Sequence, residues 1–165
     1  MNPARLQDAA SPSGNGSFTQ ERIHAYQFSQ QVGHLLRRSY QRHVAIFQRS
    51  IPDSQLTAAQ FVFLSALHAQ GPCSINDLVR ATAIDQGTAR GVVDRLKSRD
   101  LVVVEHDPDD KRKVLIRSTP EGAAIFTEMV PFALQITEDT FGNLNAAERV
   151  ALVFLLEKMT SLSED

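Results

Sequence analysis

A mainly α-helical chain with one small β-hairpin is the fold class this 165-residue sequence predicts. Three observations carry that expectation. Apolar residues recur every three or four positions over most of the chain, the helical period. Two short capped helices, separated by a tight turn, follow each other between Ser74 and Arg99. Only once do β-branched runs, Val102-Val103-Val104 and Val114-Leu115-Ile116, flank a turn-rich insert. Two short helices and then a hairpin make a winged helix-turn-helix, here enclosed by N- and C-terminal helices that suit dimerisation.

The elements follow in order. Residues 1–20, with Ser11-Pro12-Ser13-Gly14-Asn15-Gly16-Ser17, are polar and Gly/Ser-rich and read as a flexible tail. A long helix is expected from about Gln20 to Arg49. Phe28, Val32, Leu35, Leu36, Ser39, His43, Ile46 and Phe47 mark one face of it, and Ile51-Pro52-Asp53-Ser54 breaks it. Thr57-Ala58-Ala59-Gln60 is a capping box that opens a helix to about Ala69, and Gly71-Pro72 ends that helix. Ser74 to Asp77 is a second box, with Asp in place of the usual Glu, starting the first helix of the pair. After the turn Ala83-Ile84, Asp85 caps the second, Gln86 to Arg99. There Ala89, Val92, Val93 and Leu96 would face the core, leaving Gln86, Thr88, Arg90, Asp94 and Lys97 outside.

Asp107-Pro108-Asp109-Asp110 is turn chemistry, because Pro presets φ and Asp side chains bond nearby backbone. The hairpin tip carries Lys111, Arg112 and Lys113 in succession. Thr119 with Pro120 at the first helical position starts a further helix, in which Pro131 should introduce a kink. Phe141-Gly142-Asn143 is a break, and Asn145 to Glu148 is another capping box before a last apolar helix to about Met159. The expected organisation is a tail over 1–20, a dimerisation helix over 21–55, a winged lobe over 56–118 and dimerisation helices over 119–165. The terminal helices are apolar on faces too wide for the lobe between them to cover, which calls for an intertwined homodimer.

Composition narrows the function. Hydrophobic content of 42% and charged content of 22% suit a soluble globular protein. No apolar run approaches the roughly 20 residues of a membrane span, and no signal-peptide pattern opens the chain, so a cytoplasmic location is expected. A single cysteine rules out an intrachain disulfide. The net charge of −2 looks wrong for a nucleic-acid binder, but it is unevenly placed. Residues 1–56 carry +3 and 85–117 carry +1, whereas 120–165 carry −6. The acidity therefore lies where dimerisation, not DNA contact, is expected.

A helix in the major groove presents mainly its N-terminal residues to base edges. Gln86 is chemically suited to adenine and Arg90 to guanine through paired hydrogen bonds, and Thr88 to a phosphate or a thymine methyl. Ser74, Ala89 and Lys97 complete the expected helix contacts. Lys111, Arg112 and Lys113 form a narrow cationic ribbon suited to the minor groove. Asp110, two residues before Arg112, is placed to hold its guanidinium in one pose.

These residues resemble the MarR family of bacterial transcription regulators. The likeness runs from about Val32 to Leu156. Its strongest points are Leu56-Thr57-Ala58-Ala59-Gln60-Phe61, the helix pair 74–99, and Asp110-x-Arg112 ending at Ser118-Thr119-Pro120-Glu121-Gly122. The family usually shows Leu-Thr where this chain has Ser118-Thr119. The resemblance implies a homodimer on double-stranded DNA with a pseudo-palindromic operator. It also implies a small aromatic carboxylate bound between the dimer helices and the DNA-binding lobe. Arg38, Ser39, Tyr40, Arg42, His43 and Phe61 are the candidates there, the two arginines for a carboxylate and Tyr40 and Phe61 for aromatic wall. His34 and His68 are weaker candidates. The run Gly33 to His43, with Ala83-Ile84-Asp85-Gln86, is similar to repressors of nicotinate degradation, which implies a hydroxylated pyridine carboxylate as inducer.

Two rival readings stand beside this one. Cys73 precedes a capped helix, where helix N-termini lower thiol pKa, so a redox-responsive regulator is the first. A winged-helix module for protein association, without DNA, is the second. His24, His34, His43, His68 and His106 show no metal-ligand spacing, and no cofactor or metal is expected. No nucleophile elbow, phosphate loop or His-Glu-x-x-His is present, so no enzyme is expected.

Overall fold

The computed structural model describes Ile23 and residues 25–161. The expected tail over 1–20 and His24 lie outside them. The described chain falls into two units, one ending at Ser39 and one from Tyr40 onward. A 3₁₀ turn, Phe28–Gln30, precedes helix α1, Val32–Ser50. The first long helix therefore begins at Val32 and not near Gln20. Gln31 at φ −70° and ψ 134° is extended, which ends the 3₁₀ turn and takes Phe28 off the helical face expected to contain it.

Helix α2 spans Ala58–Gln70, α3 Ile75–Thr82 and α4 Gln86–Ser98. Strands β1, Val102–His106, and β2, Val114–Ser118, pair antiparallel with Val104 opposite Ile116. Helix α5 runs Pro120–Phe141 and α6 Ala146–Thr160. The expected capping boxes at Thr57–Gln60, Ser74–Asp77 and Asn145–Glu148 all form, each with both reciprocal bonds. Asp85 accepts from the Thr88 amide at 3.0 Å and Thr119 from the Gly122 amide at 3.0 Å. Helix α5 is continuous across Pro131.

The core lies under the helix-turn-helix. Leu56, Phe63, Leu78, Ala89, Val92 and Leu96 are wholly buried, joined by Leu101, Val102, Ile116, Met129 and Ile136. Full burial of a Leu or Phe side chain contributes about 1.5–3 kcal/mol, so this cluster is the main support of α4. Two local features were not expected. Cys73 pairs with Ile116 through both backbone bonds, at 3.1 and 2.8 Å, so the chain entering α3 lies beside β2. Gly122 lets α5 approach the lobe, since a Cβ there would fall 2.1 Å from the Leu101 carbonyl oxygen. No helix among the described residues is long and apolar enough to cross a membrane.

Candidate nucleic-acid interface

Local sequence places the α4 N-terminus at the surface. Ala83 takes a left-handed conformation, φ 53°, which ends α3 and turns the chain for α4. The buried stripe Ala89, Val92, Val93 and Leu96 then turns the opposite side of α4 outward. Gln86, Thr88, Arg90, Asp94 and Lys97 are exposed as expected. Ala89 is not: it is wholly buried in the core and cannot reach a base edge, which corrects its place in the expected contact set. Gln86 Nε2 donates to Asn76 Oδ1 at 3.4 Å, so α3 supplies a neighbour that the sequence reading did not single out.

The wing stands beside this face. A cleft of about 530 Å³ separates α4 from the hairpin, with Ser74, Asn76, Arg90, Asp94, Lys97 and Arg112 among its lining residues. Val93, Val104, Val114 and Ile116 supply its apolar lining. At the tip, Asp107 Oδ1 accepts from the amides of Asp109 and Asp110, the turn chemistry expected of this segment. Asp110 accepts from Arg112 Nε and from the Arg112 amide, both at 3.1 Å. Its second oxygen accepts from Arg112 Nη2 at 3.4 Å. The Arg112 side chain remains 91% exposed, so it is both oriented and available. Lys111 and Lys113 are exposed on either side of it.

This arrangement answers the charge objection. Several carboxylates near the face already serve internal contacts. The Ser74 hydroxyl and amide, then Arg80, hold Asp77 below the usual carboxylate range. Thr88 does the same for the cap Asp85, Arg112 for Asp110 and Arg117 for Glu105. Among the described residues, Arg90, Lys97, Lys111 and Lys113 make no ion pair and remain available to phosphates.

The expected ligand residues are differently placed. Arg38 and Ser39 are exposed, as is Tyr40, at 61%. Arg42 does not wait for a carboxylate. Its guanidinium donates to the carbonyls of Thr140 and Asp139, with Nη2 at 3.0 Å from the latter, and so caps the C-terminus of α5. His43 Nδ1 lies 3.0 Å from Thr140 Oγ1. Phe61 stands in an aromatic file, its ring 5.9 Å from both Phe47 and Phe126, with His68 stacked on Phe126 at 4.3 Å. It packs against the core and does not line the cleft between α4 and the hairpin. Phe28 meets His34 at 4.2 Å.

Cys73 does not suit redox sensing. It is 9% exposed, and burial, then the Asp77 charge, push its thiol up instead of down. Among the described residues no three His, Cys, Asp or Glu gather as metal ligands.

Comparison with known proteins agrees with this geometry. A profile described as the MarR family matches residues 54–113. The HTH-type transcriptional repressor NicR of Pseudomonas putida is 53% identical over 140 residues, 85% of this chain and 89% of that protein. A solved structure of Bordetella bronchiseptica BpsR, concerned with regulation of its DNA binding by 6-hydroxynicotinic acid, is 65% identical with a TM-score of 0.78. It covers 82% of this chain and 98% of that one. A MarR variant from Escherichia coli complexed with operator DNA is 26% identical with a TM-score of 0.72, over 81% of this chain and 99% of that one. With the capped helix pair, the Asp110–Arg112 wing and these likenesses together, the chain belongs to the MarR family of winged helix-turn-helix regulators.

Proposed function

We propose that this protein is a homodimeric, ligand-responsive DNA-binding repressor of a nicotinate-type catabolic operon. The observation that carries the DNA-binding part is the exposed N-terminal face of α4 beside an Arg112 held ready by Asp110. Gln86, Thr88 and Arg90 read the major groove. Lys97, Ser74, Lys111 and Lys113 take phosphates, and Arg112 enters the minor groove.

The dimer reading rests on the terminal elements. In α6, Val150, Val153, Phe154 and Leu155 are between 42% and 72% exposed, and the helix buries none of its residues. A helix apolar all round requires cover, and a second copy with the same face supplies it. Two recognition helices then meet half-sites roughly 34 Å apart on a pseudo-palindromic operator. This keeps segments 21–55 and 119–165 for dimerisation and 56–118 for DNA, and the protein works in the cytoplasm without cofactor or catalysis.

The similarity to NicR and BpsR supports a hydroxylated pyridine carboxylate, 6-hydroxynicotinate in particular, as the inducer. Its candidate residues are Arg38, Ser39, Tyr40, His43 and Phe61, and Arg42 sets the helix end. A hundredfold loss of operator affinity requires the ligand to favour the unfit state by about 2.7 kcal/mol. The test is a gel-shift titration of the promoter of a nicotinate-degradation operon with and without 6-hydroxynicotinate. Release at concentrations where benzoate is inert is expected. A protein that ignores the fragment at low salt, or keeps it with ligand present, overturns the reading.

A further inference from the structure

The His43–Thr140 contact carries more than a packing role, given the effector reading above. Thr140 has one hydroxyl hydrogen. It goes to the Ile136 carbonyl, 2.7 Å away in the same helix. The Thr140 oxygen then has only lone pairs to offer His43 Nδ1 at 3.0 Å, so Nδ1 bears the hydrogen and donates. In a neutral imidazole the other nitrogen, Nε2, is then a bare acceptor. Nε2 has no partner among the described residues, and the residue is only partly buried. Arg42, the adjacent residue, ties α1 to the Thr140 and Asp139 carbonyls, and turning the ring over would forfeit the Thr140 bond.

We propose that His43 is a specificity-determining residue that demands a hydrogen-bond donor from the effector, and that Thr140 is the positioning residue that fixes this demand. A hydroxylated pyridine carboxylate carries a donor in either of its forms, O–H in the hydroxy form and ring N–H in the lactam. The parent pyridine carboxylate presents only a ring lone pair, which would face the Nε2 lone pair. A site that leaves a polar group unmatched rejects the analogue strongly, whereas one with no such demand separates the two acids weakly.

Two measurements test this. In the intact protein, ¹⁵N NMR of the His43 ring is expected to show Nδ1 protonated and Nε2 bare; a protonated Nε2 overturns the proposal. Operator release by the hydroxylated acid and by its parent is then compared in wild type, Thr140→Val and Thr140→Ser. Wild type is expected to prefer the hydroxylated acid by at least about tenfold, Thr140→Val to lose most of that preference, and Thr140→Ser to keep it. A merely structural Thr140 would change stability while leaving the ratio intact, and that result overturns the proposal alone. Release of wild type by neither acid overturns the effector reading and this proposal with it.

Discussion

The lobe from Ala58 to Ser118 and the helix Ala146–Thr160 use the same apolar residue types and meet opposite fates. In the lobe, Phe63, Leu78, Val92 and Leu96 are wholly buried. In α6, Val150 is 72% exposed, Phe154 59% and Leu155 53%. The difference lies in patterning. Helix α4 sets Ala89, Val92, Val93 and Leu96 on one stripe and leaves charge opposite, so one chain satisfies it. Helix α6 reads Val150-Ala151-Leu152-Val153-Phe154-Leu155-Leu156 without a polar side, so one chain cannot. The lobe covers its own apolar residues; α6 leaves its own uncovered, as the proposed dimer requires.

Substitutions in the two places should therefore fail differently. Phe63→Ala opens a cavity in a closed core and should lower stability by about 4 kcal/mol, read as a fall in the urea midpoint. Phe154→Asp should leave the lobe folded by circular dichroism and shift sedimentation to the monomer. An unpaired charge at a covered interface should raise the dimer dissociation constant at least about a hundredfold, and operator affinity should fall with it. A Phe154→Asp protein that stays dimeric would remove α6 from the interface and break the comparison.

The next test stays inside the lobe. Arg112→Ala should weaken operator binding by about tenfold and lower the slope of log affinity against log salt by about one, with the dimer unchanged. Asp110→Asn should act in the same direction and less, because it loosens the Arg112 pose without removing its charge. Equal loss from both substitutions would mean that Asp110 does more than orient its neighbour. Fluorescence anisotropy across a salt series separates these outcomes.

What could be read from the sequence was local. The capping boxes, the Asp85 and Thr119 caps, the wing turn and the Asp110–Arg112 pair all join residues two or three apart, where backbone geometry fixes the contact once the element forms. The sequence offers Arg42 to a carboxylate because its real partners, the Asp139 and Thr140 carbonyls, lie 97 and 98 residues on. The Cys73–Ile116 bridge is of the same kind, since pairing across the fold depends on tertiary register that no motif states. Helical period alone decides the side of Ala89: it shares a buried stripe with Val92, Val93 and Leu96 and so cannot also be a base contact. The helix start at Val32 turns on the extended Gln31, a position with no proline or glycine to mark it.

A long-range pair also gives the smallest expected effect. Arg99, at the C-cap of α4, donates to Asp53 in the segment after α1, with 23% and 27% of the two side chains exposed. Partial burial alone would raise the Asp53 carboxyl. The Arg99 hydrogen bond, the Gln55 amide, the Arg99 charge and the Leu56 amide outweigh it and hold the group below its usual 3.8. A carboxyl lowered in the folded state stabilises above its unfolded value and loses that contribution as pH falls through the folded value. Stability from this pair should therefore be intact at pH 5 and above and fade below about pH 4. Asp53→Asn should cost roughly 1–2 kcal/mol at neutral pH, between the limits for exposed and buried pairs. It should also flatten the acid limb of the melting-temperature profile. An unchanged acid limb would place the acid sensitivity in other carboxylates and leave Asp53 as a turn residue that happens to face Arg99.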